Sequence, residues 1–330
     1  MGSRVYSGRP AGQGGGPPVP PVPRGGAVER TVPTEEEIAA SFEQEGFVCS
    51  AEVSTSLMLS EALKKPLLLE GPPGVGKTEI AKLWARFHSA PLVRLQCYEG
   101  LDEAKALYEW SYGKQMLYAQ LLKEKVGDLL AQAPDLRGAL GVLRGQADEF
   151  FSRDFLLPRP LLAVITSVVP VVLLIDEVDR SDEEFEAFLL EVLSDYQVSI
   201  PELGTVHAQH IPRVVLTSND SRELSDALRR RCLYLYIDYP TFEDEVRIIE
   251  KRVQGAGERL ARDIVTFVQK VRQAGMRKAP GIAETVDWAL ALVAVGAESL
   301  SREAQRKTLG ALLKNREDLE RVLSELRKGR

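Results

Sequence analysis

Cysteine is scarce in this chain: three residues, at 49, 97 and 232, in a sequence of 330. They are too few and too scattered for a disulfide framework or a metal cluster, and a reducing cytoplasm suits them. Excess positive charge is missing too. The 42 Lys and Arg stand against 48 Asp and Glu, a formal net charge of −6, which argues against a protein that coats nucleic acid. Long apolar runs are absent as well. Arg4 and Arg9 are followed by Gly and Pro where the apolar core of a secretory signal belongs. The stretch from Pro160 to Ile175 is uncharged and largely apolar. It is shorter than the ~20 residues that span a bilayer, and Pro170 interrupts it. A short helix followed by a buried strand is expected there, with no membrane partner. The rest of the composition, 44% hydrophobic and 27% charged, is that of a soluble globular chain long enough for two domains.

The ends of the chain differ in kind. Residues 1–30 hold eight of the 26 glycines and six of the 19 prolines, with almost nothing large and apolar. Such a segment cannot bury enough surface to offset an ordering cost of about 1–2 kcal/mol per residue. A disordered tail is expected, its PPVPPVP run favouring polyproline II. The folded chain is expected to start at Thr34, where Glu35, Glu36 and Glu37 sit well in a first helical turn.

The decisive passage is Leu67-Leu68-Leu69-Glu70 followed by Gly71-Pro-Pro-Gly-Val-Gly-Lys77-Thr78. It matches G-x-x-x-x-G-K-[ST] without a mismatch, a match expected by chance in about one chain of this length in a hundred. The leucines read as a strand buried on both faces. Ile80, Leu83, Trp84 and Phe87 recur at helical spacing after the loop. The candidate nucleotide-binding residues are Gly71, Pro72, Pro73, Gly74, Val75, Gly76, Lys77, Thr78 and Glu79. The glycines let backbone N–H groups curl toward phosphate oxygens at a helix N-terminus. Lys77 supplies a point charge to the β- and γ-phosphates, and the Thr78 hydroxyl a ligand for magnesium. ATP and Mg2+ are the expected cofactors.

A second apolar strand, Val171 to Ile175, delivers Asp176 and Glu177 at its C-terminal edge, where open α/β sheets bind ligands. Asp176 is the candidate second magnesium ligand, and Glu177 the general base that orients the attacking water. A third strand, Val214 to Leu216, leads to Asn219, suited to hydrogen-bond the γ-phosphate or the water. The sequence then runs into Arg229, Arg230 and Arg231, either a solvated surface run or a site. The span from Lys77 to Asp176 is too long for one helix, one strand and a turn, so something is inserted there. His207 and His210 form an H-x-x-H pair, but on an extended segment their side chains point to opposite faces, and no Cys lies nearby.

In this order the pieces resemble an AAA+ ATPase, and within that class the MoxR family. The likeness is carried by LLLEGPPGVGKTE (67–79), LQCYEGLDEAKALYEWSYGKQ (95–115), LLIDEVDRSDEEFEAFLLEVLSDYQVSIPELG (173–204), VVLTSND (214–220), LRRRCLYLYIDYP (228–240) and PGIAETVDWALAL (280–292). It is greatest to the branch encoded beside carbon monoxide dehydrogenase genes. The resemblance implies an α/β ATPase domain over 31–240, with a parallel sheet and insertions near 97–160 and 197–211. It implies a small all-α lid over 241–330, built on helical stripes such as Val246, Ile248, Ile249 and Val253. It makes Asn219 the sensor 1 residue and Arg231 the arginine finger that reaches a neighbour's ATP. Cys232 stands where the family has Phe, which leaves Arg229 and Arg230 as alternatives. The family's sensor 2 Arg follows Ser-Pro; here Gly281 follows Pro280, with Arg277 and Lys278 as possible substitutes.

By the same resemblance the chain forms a homo-oligomeric ring, a hexamer. Its partners are a von Willebrand factor A domain protein and a metalloenzyme client, in the cytoplasm. The first insertion is rich in aromatics, Tyr98, Tyr108, Trp110, Tyr112 and Tyr118, which form either a partner surface or packing onto the insertion's own domain. The rival to a hydrolysing motor is a regulatory switch that binds ATP and scarcely hydrolyses it.

Overall fold

The computed structural model describes residues 32–118, 120, 153–201 and 203–328. The Gly/Pro tail and most of the first insertion lie outside these residues. Folding begins at Thr34, whose hydroxyl and the Glu37 carboxylate cap α1 (Glu35–Gln44) reciprocally. Next come α2 (Ala51–Leu63), β1 (Leu67–Glu70), α3 (Lys77–Phe87) and β2 (Leu92–Gln96).

Five strands make one parallel sheet. With β5 (Val172–Asp176), β8 (Arg213–Ser218) and β9 (Leu233–Tyr236), its order is β2-β5-β8-β1-β9. Both faces are covered, and alternation along each strand divides the side chains. Leu67 and Leu69 pack with Ile38, Phe42, Ile80 and Trp84 on one face. Leu68 joins Leu173, Ile175, Leu189 and Leu216 on the other. Burying each leucine contributes about 2 kcal/mol relative to exposure, so the strand that ends at the loop is firmly anchored. The uncharged stretch resolves into α5 (Pro160–Ile165) and β5, as its length requires.

Two antiparallel ribbons leave this core. One pairs β3 (Tyr108–Trp110) with β4 (Leu156–Pro158), just after the short α4 (Glu103–Leu107). Here Tyr108 and Trp110 are half-buried edge to face, whereas Tyr98, Tyr112 and Tyr118 are exposed. After α6 (Glu183–Asp195), the ribbon of β6 (Gln197–Ile200) and β7 (Gly204–His207) turns at Gly204, whose φ of 75° suits glycine. Val198, Ile200 and Val206 seat it on the sheet's core.

The arginine run forms α7 (Asp226–Arg231), and the chain after β9 is helical: α8 (Phe242–Arg252), α9 (Glu258–Gln273), α10 (Ile282–Ala294), α11 (Arg302–Leu312) and α12 (Arg316–Lys328). Val246, Ile249, Val265, Trp288 and Leu309 form their common core. Ile248, expected in that stripe, instead lines a cavity beside the phosphate loop, because it sits one position off the buried face of α8. None of the described helices is long and apolar enough to cross a membrane.

Candidate functional site

The loop from Gly71 to Gly76 needs its glycines for separate reasons. Gly71 passes so close to β9's exit that a Cβ would sit 2.0 Å from the Ile237 carbonyl oxygen. Gly74 and Gly76 hold φ of 80° and 101°, the left-handed region that L side chains avoid. Gly76 caps α3, and Lys77 is its first residue. Pro73 and Gly74 are exposed, Pro72 and Glu79 half-buried, and Val75 buried; Glu79 pairs with Lys82 at 3.0 Å.

Lys77 is buried, and its Nζ donates to Gly71 O and Pro72 O at 2.7 Å each. It also donates to Asn219 Oδ1 at 2.9 Å, joining residues 142 positions apart. Burial lowers the Lys77 pKa, and the nearby charges of Asp179, Asp176, Glu177 and Glu70 offset this only in part.

Asp176 ends β5, and its two oxygens face different partners. Oδ1 accepts from Thr78 Oγ1 at 3.1 Å and from Thr217 Oγ1 at 2.5 Å. Oδ2 accepts from Arg94 on β2, Nε at 3.0 Å and Nη2 at 2.5 Å. A hydroxyl and a carboxylate beside a phosphate-sized cradle are hard oxygen donors, which fit magnesium better than a soft metal.

Glu177 leaves the strand with φ 55°, a left-handed conformation uncommon outside glycine. Its own N–H donates to Thr217 Oγ1 at 2.9 Å. Its carboxylate accepts from Gln96 Nε2 at 3.1 Å and from Arg180 Nη1 at 3.0 Å. Gln96 in turn accepts from Arg94 through its Oε1. Arg94, Gln96, Thr217 and Arg180 were not singled out in the sequence. The only signal was the i, i+2 spacing of Arg94 and Gln96, which puts both on one face of β2.

Lys77, Thr78, Asp176, Glu177 and Asn219 all border one cavity of about 770 Å³, in the size range of ligand pockets. Phe47, Val48 and Val53 close one side, and Tyr239, Ile248 and Ile282 another.

The arginines separate. Arg229 pairs with the buried Glu70 at 2.9 Å. Arg230 is exposed and lies 3.9 Å from Asp226. Arg231 is half-buried near Tyr196 and Cys232, and forms no side-chain hydrogen bond or ion pair with the described residues.

At Gly281, which follows Pro280, no side chain fits. A Cβ on Gly281 would stand 2.7 Å from Gly74 Cα, and Ile282 N donates to Gly74 O at 2.9 Å. Arg277 pairs with Glu317, and the backbone of Lys278 is bonded to Asp318; neither residue lines the cavity, whereas Arg247 and Arg252 do.

No curated protein sequence matches the chain. Among solved structures, Thermotoga maritima RuvB, a Holliday junction branch migration motor, aligns at 20% identity. It covers 81% of this chain and 69% of that one, with a TM-score of 0.45. A mutant form of the same protein aligns at 20% identity over 84% and 69%, with a TM-score of 0.46. The model of the AAA domain family, dynein-related subfamily, matches residues 66–232, from the residue before β1 to Cys232, just after the arginine run. The chain belongs to that AAA domain family and has its P-loop α/β fold, with a central parallel sheet and a helical C-terminal region.

Proposed function

We propose that the chain is an ATP-hydrolysing motor subunit of the MoxR type, with residues 31–240 as its ATPase domain and 241–330 as its lid. The observation that carries this reading is the convergence of Lys77, Thr78, Asp176, Glu177 and Asn219 on one cavity. Backbone N–H groups of the loop and the Lys77 ammonium bind the β- and γ-phosphates. Thr78 and Asp176 would hold magnesium, which when bound would neutralise charge on the transferred phosphoryl group. Glu177 orients the attacking water and accepts its proton. Asn219, tied to Lys77 in this structure, contacts the γ-phosphate or that water. Arg231, without a partner among the described residues, acts on the neighbouring subunit's ATP in a ring, which the family likeness makes a hexamer. A cytoplasmic remodelling role follows from the same likeness, with a von Willebrand factor A domain partner and a metalloenzyme client. The net charge of −6 speaks against nucleic acid as the client.

Two observations favour the rival, a slow ATP-binding switch. Glu177 is tethered by Gln96 and Arg180, and Gly281 stands where the family likeness expects a sensor 2 cation, with Arg277 and Lys278 off the cavity lining. Phosphate release by the purified chain, with and without magnesium, separates the readings. Multiple turnover supports the motor; tight nucleotide binding without phosphate release supports the switch.

A further inference from the structure

Asp176 and Glu177 are linked by a continuous set of side chains on β2. The Arg94 guanidinium binds Asp176 Oδ2 through two N–H groups and also donates to Gln96 Oε1. With its oxygen so engaged, the Gln96 amide turns its Nε2 to Glu177 at 3.1 Å. Arg94 lies on the edge strand of the sheet, and its side chain is 52% exposed, whereas that of Asp176 is 3% exposed. An exposed arginine that places two N–H groups on a buried carboxylate is a built contact, since long surface cations rarely hold one geometry without a partner that fixes them.

The geometry points to Arg94 as a positioning residue that sets the chain's magnesium affinity and couples it to Glu177. This rests on the ATPase reading of the site. Two consequences follow from the contacts. Arg94 takes Oδ2 through two N–H groups, so the oxygen on the Thr78 side is Oδ1, which here accepts from the Thr78 and Thr217 hydroxyls and would meet a divalent cation there. A fixed positive charge on the same carboxylate also opposes a second cation there, so Arg94 weakens magnesium binding while orienting its ligand. Through Gln96, the same guanidinium holds the amide that donates to Glu177. Arg94 therefore acts on two chemical groups without touching substrate.

The test uses the full chain and a fluorescent ATP analogue, with magnesium chloride titrated from an EDTA baseline. Arg94→Gln should lower the half-saturating magnesium concentration by about tenfold, the order expected when one charge a few ångström away is removed in a water-like dielectric. Affinity in EDTA should stay within twofold. Arg94→Lys keeps the charge and should keep the wild-type magnesium midpoint, but it cannot span both Asp176 and Gln96, so its turnover falls several-fold. Gln96→Leu should also slow turnover several-fold while leaving the magnesium midpoint unchanged. That split between midpoint and turnover is one that a merely structural role would not produce. An unchanged or raised midpoint in Arg94→Gln overturns the inference, as does an equal shift in Gln96→Leu. If Arg94→Gln does not fold, Arg94→Met removes the same charge and is read in its place, an unchanged or raised midpoint overturning the inference equally. Failure of the ATPase reading looks different: the wild-type chain then releases no phosphate at any magnesium concentration, whether or not it binds nucleotide.

Discussion

Arg229 reaches back 159 positions to donate from Nη2 to the Glu70 carboxylate at 2.9 Å, tying the arginine-run helix to the strand that carries the phosphate loop. Tyr234 donates to the other oxygen of Glu70 at 2.8 Å and lies under the Arg229 guanidinium. Glu70 is almost fully buried, so its charge is compensated within the chain. That pairing distinguishes Arg229 from Arg231, two residues on, which has no such partner among the described residues.

The two arginines should therefore fail differently. Arg229→Ala strands the buried Glu70 charge and should destabilise the fold by about 1–3 kcal/mol. This is less than a fully buried pair would cost, because Arg229 keeps partial solvent contact. Arg231→Ala should leave the melting temperature within about 1 °C and slow turnover by about 10³-fold or more. Thermal melts and phosphate release on both variants check this, and a stable, inactive Arg229→Ala would reverse the assignment.

Lys77→Ala should abolish nucleotide binding, whereas Glu177→Gln should keep binding and lose hydrolysis. Lys77 meets ground-state phosphates, while Glu177 matters when water attacks. Equal loss of affinity in the two variants, measured by titration with labelled ATP, would contradict these roles.

The pH dependence has a definite sign. The Lys77 pKa is lowered on folding, chiefly by burial. The stability this contributes is present above the unfolded value of about 10.4 and is lost as pH falls through the folded value. Compared with Lys77→Met, wild-type stability should rise as pH increases from 7 toward about 10. Chemical denaturation at several pH values checks it, and a difference that falls with pH would rule out the burial argument.

An arginine placed at Gly281 should harm this chain. Gly281→Arg forces a Cβ against Gly74 at 2.7 Å, so α10 must back away from the loop. Gly281→Ala alone should cost about 1–3 kcal/mol of stability, as overpacking does. Gly281→Arg should weaken nucleotide binding, and stronger binding would show that the contact yields easily.

Much of this was legible before the fold was known. The Gly71–Thr78 motif needs only local backbone chemistry. Three apolar runs, ending at Leu69, Ile175 and Leu216, are unmistakable, because strands buried on both faces have no polar side to confuse the pattern. The bond from Lys77 to Asn219 and the Arg229–Glu70 pair were hidden, since each joins residues brought together only by strand order. Arg94 was hidden for another reason. On an edge strand an arginine reads as ordinary solvated surface, and only the neighbouring end of β5 gives it a partner. Ile248 misled because helical spacing locates a stripe to within about one residue, and the neighbour of a core position can face a cavity instead.

Mixing Arg231→Ala with Lys77→Ala subunits tests the central claim most directly. Each variant alone should be nearly inactive, one lacking the finger and the other the phosphate charge. If Arg231 acts on a neighbour's ATP, mixed rings contain interfaces that pair an intact Lys77 with an intact Arg231. Phosphate release should then rise to a maximum at intermediate ratios. Activity flat at every ratio, with subunit exchange verified by labelling, would contradict a trans-acting Arg231 and the ring mechanism built on it.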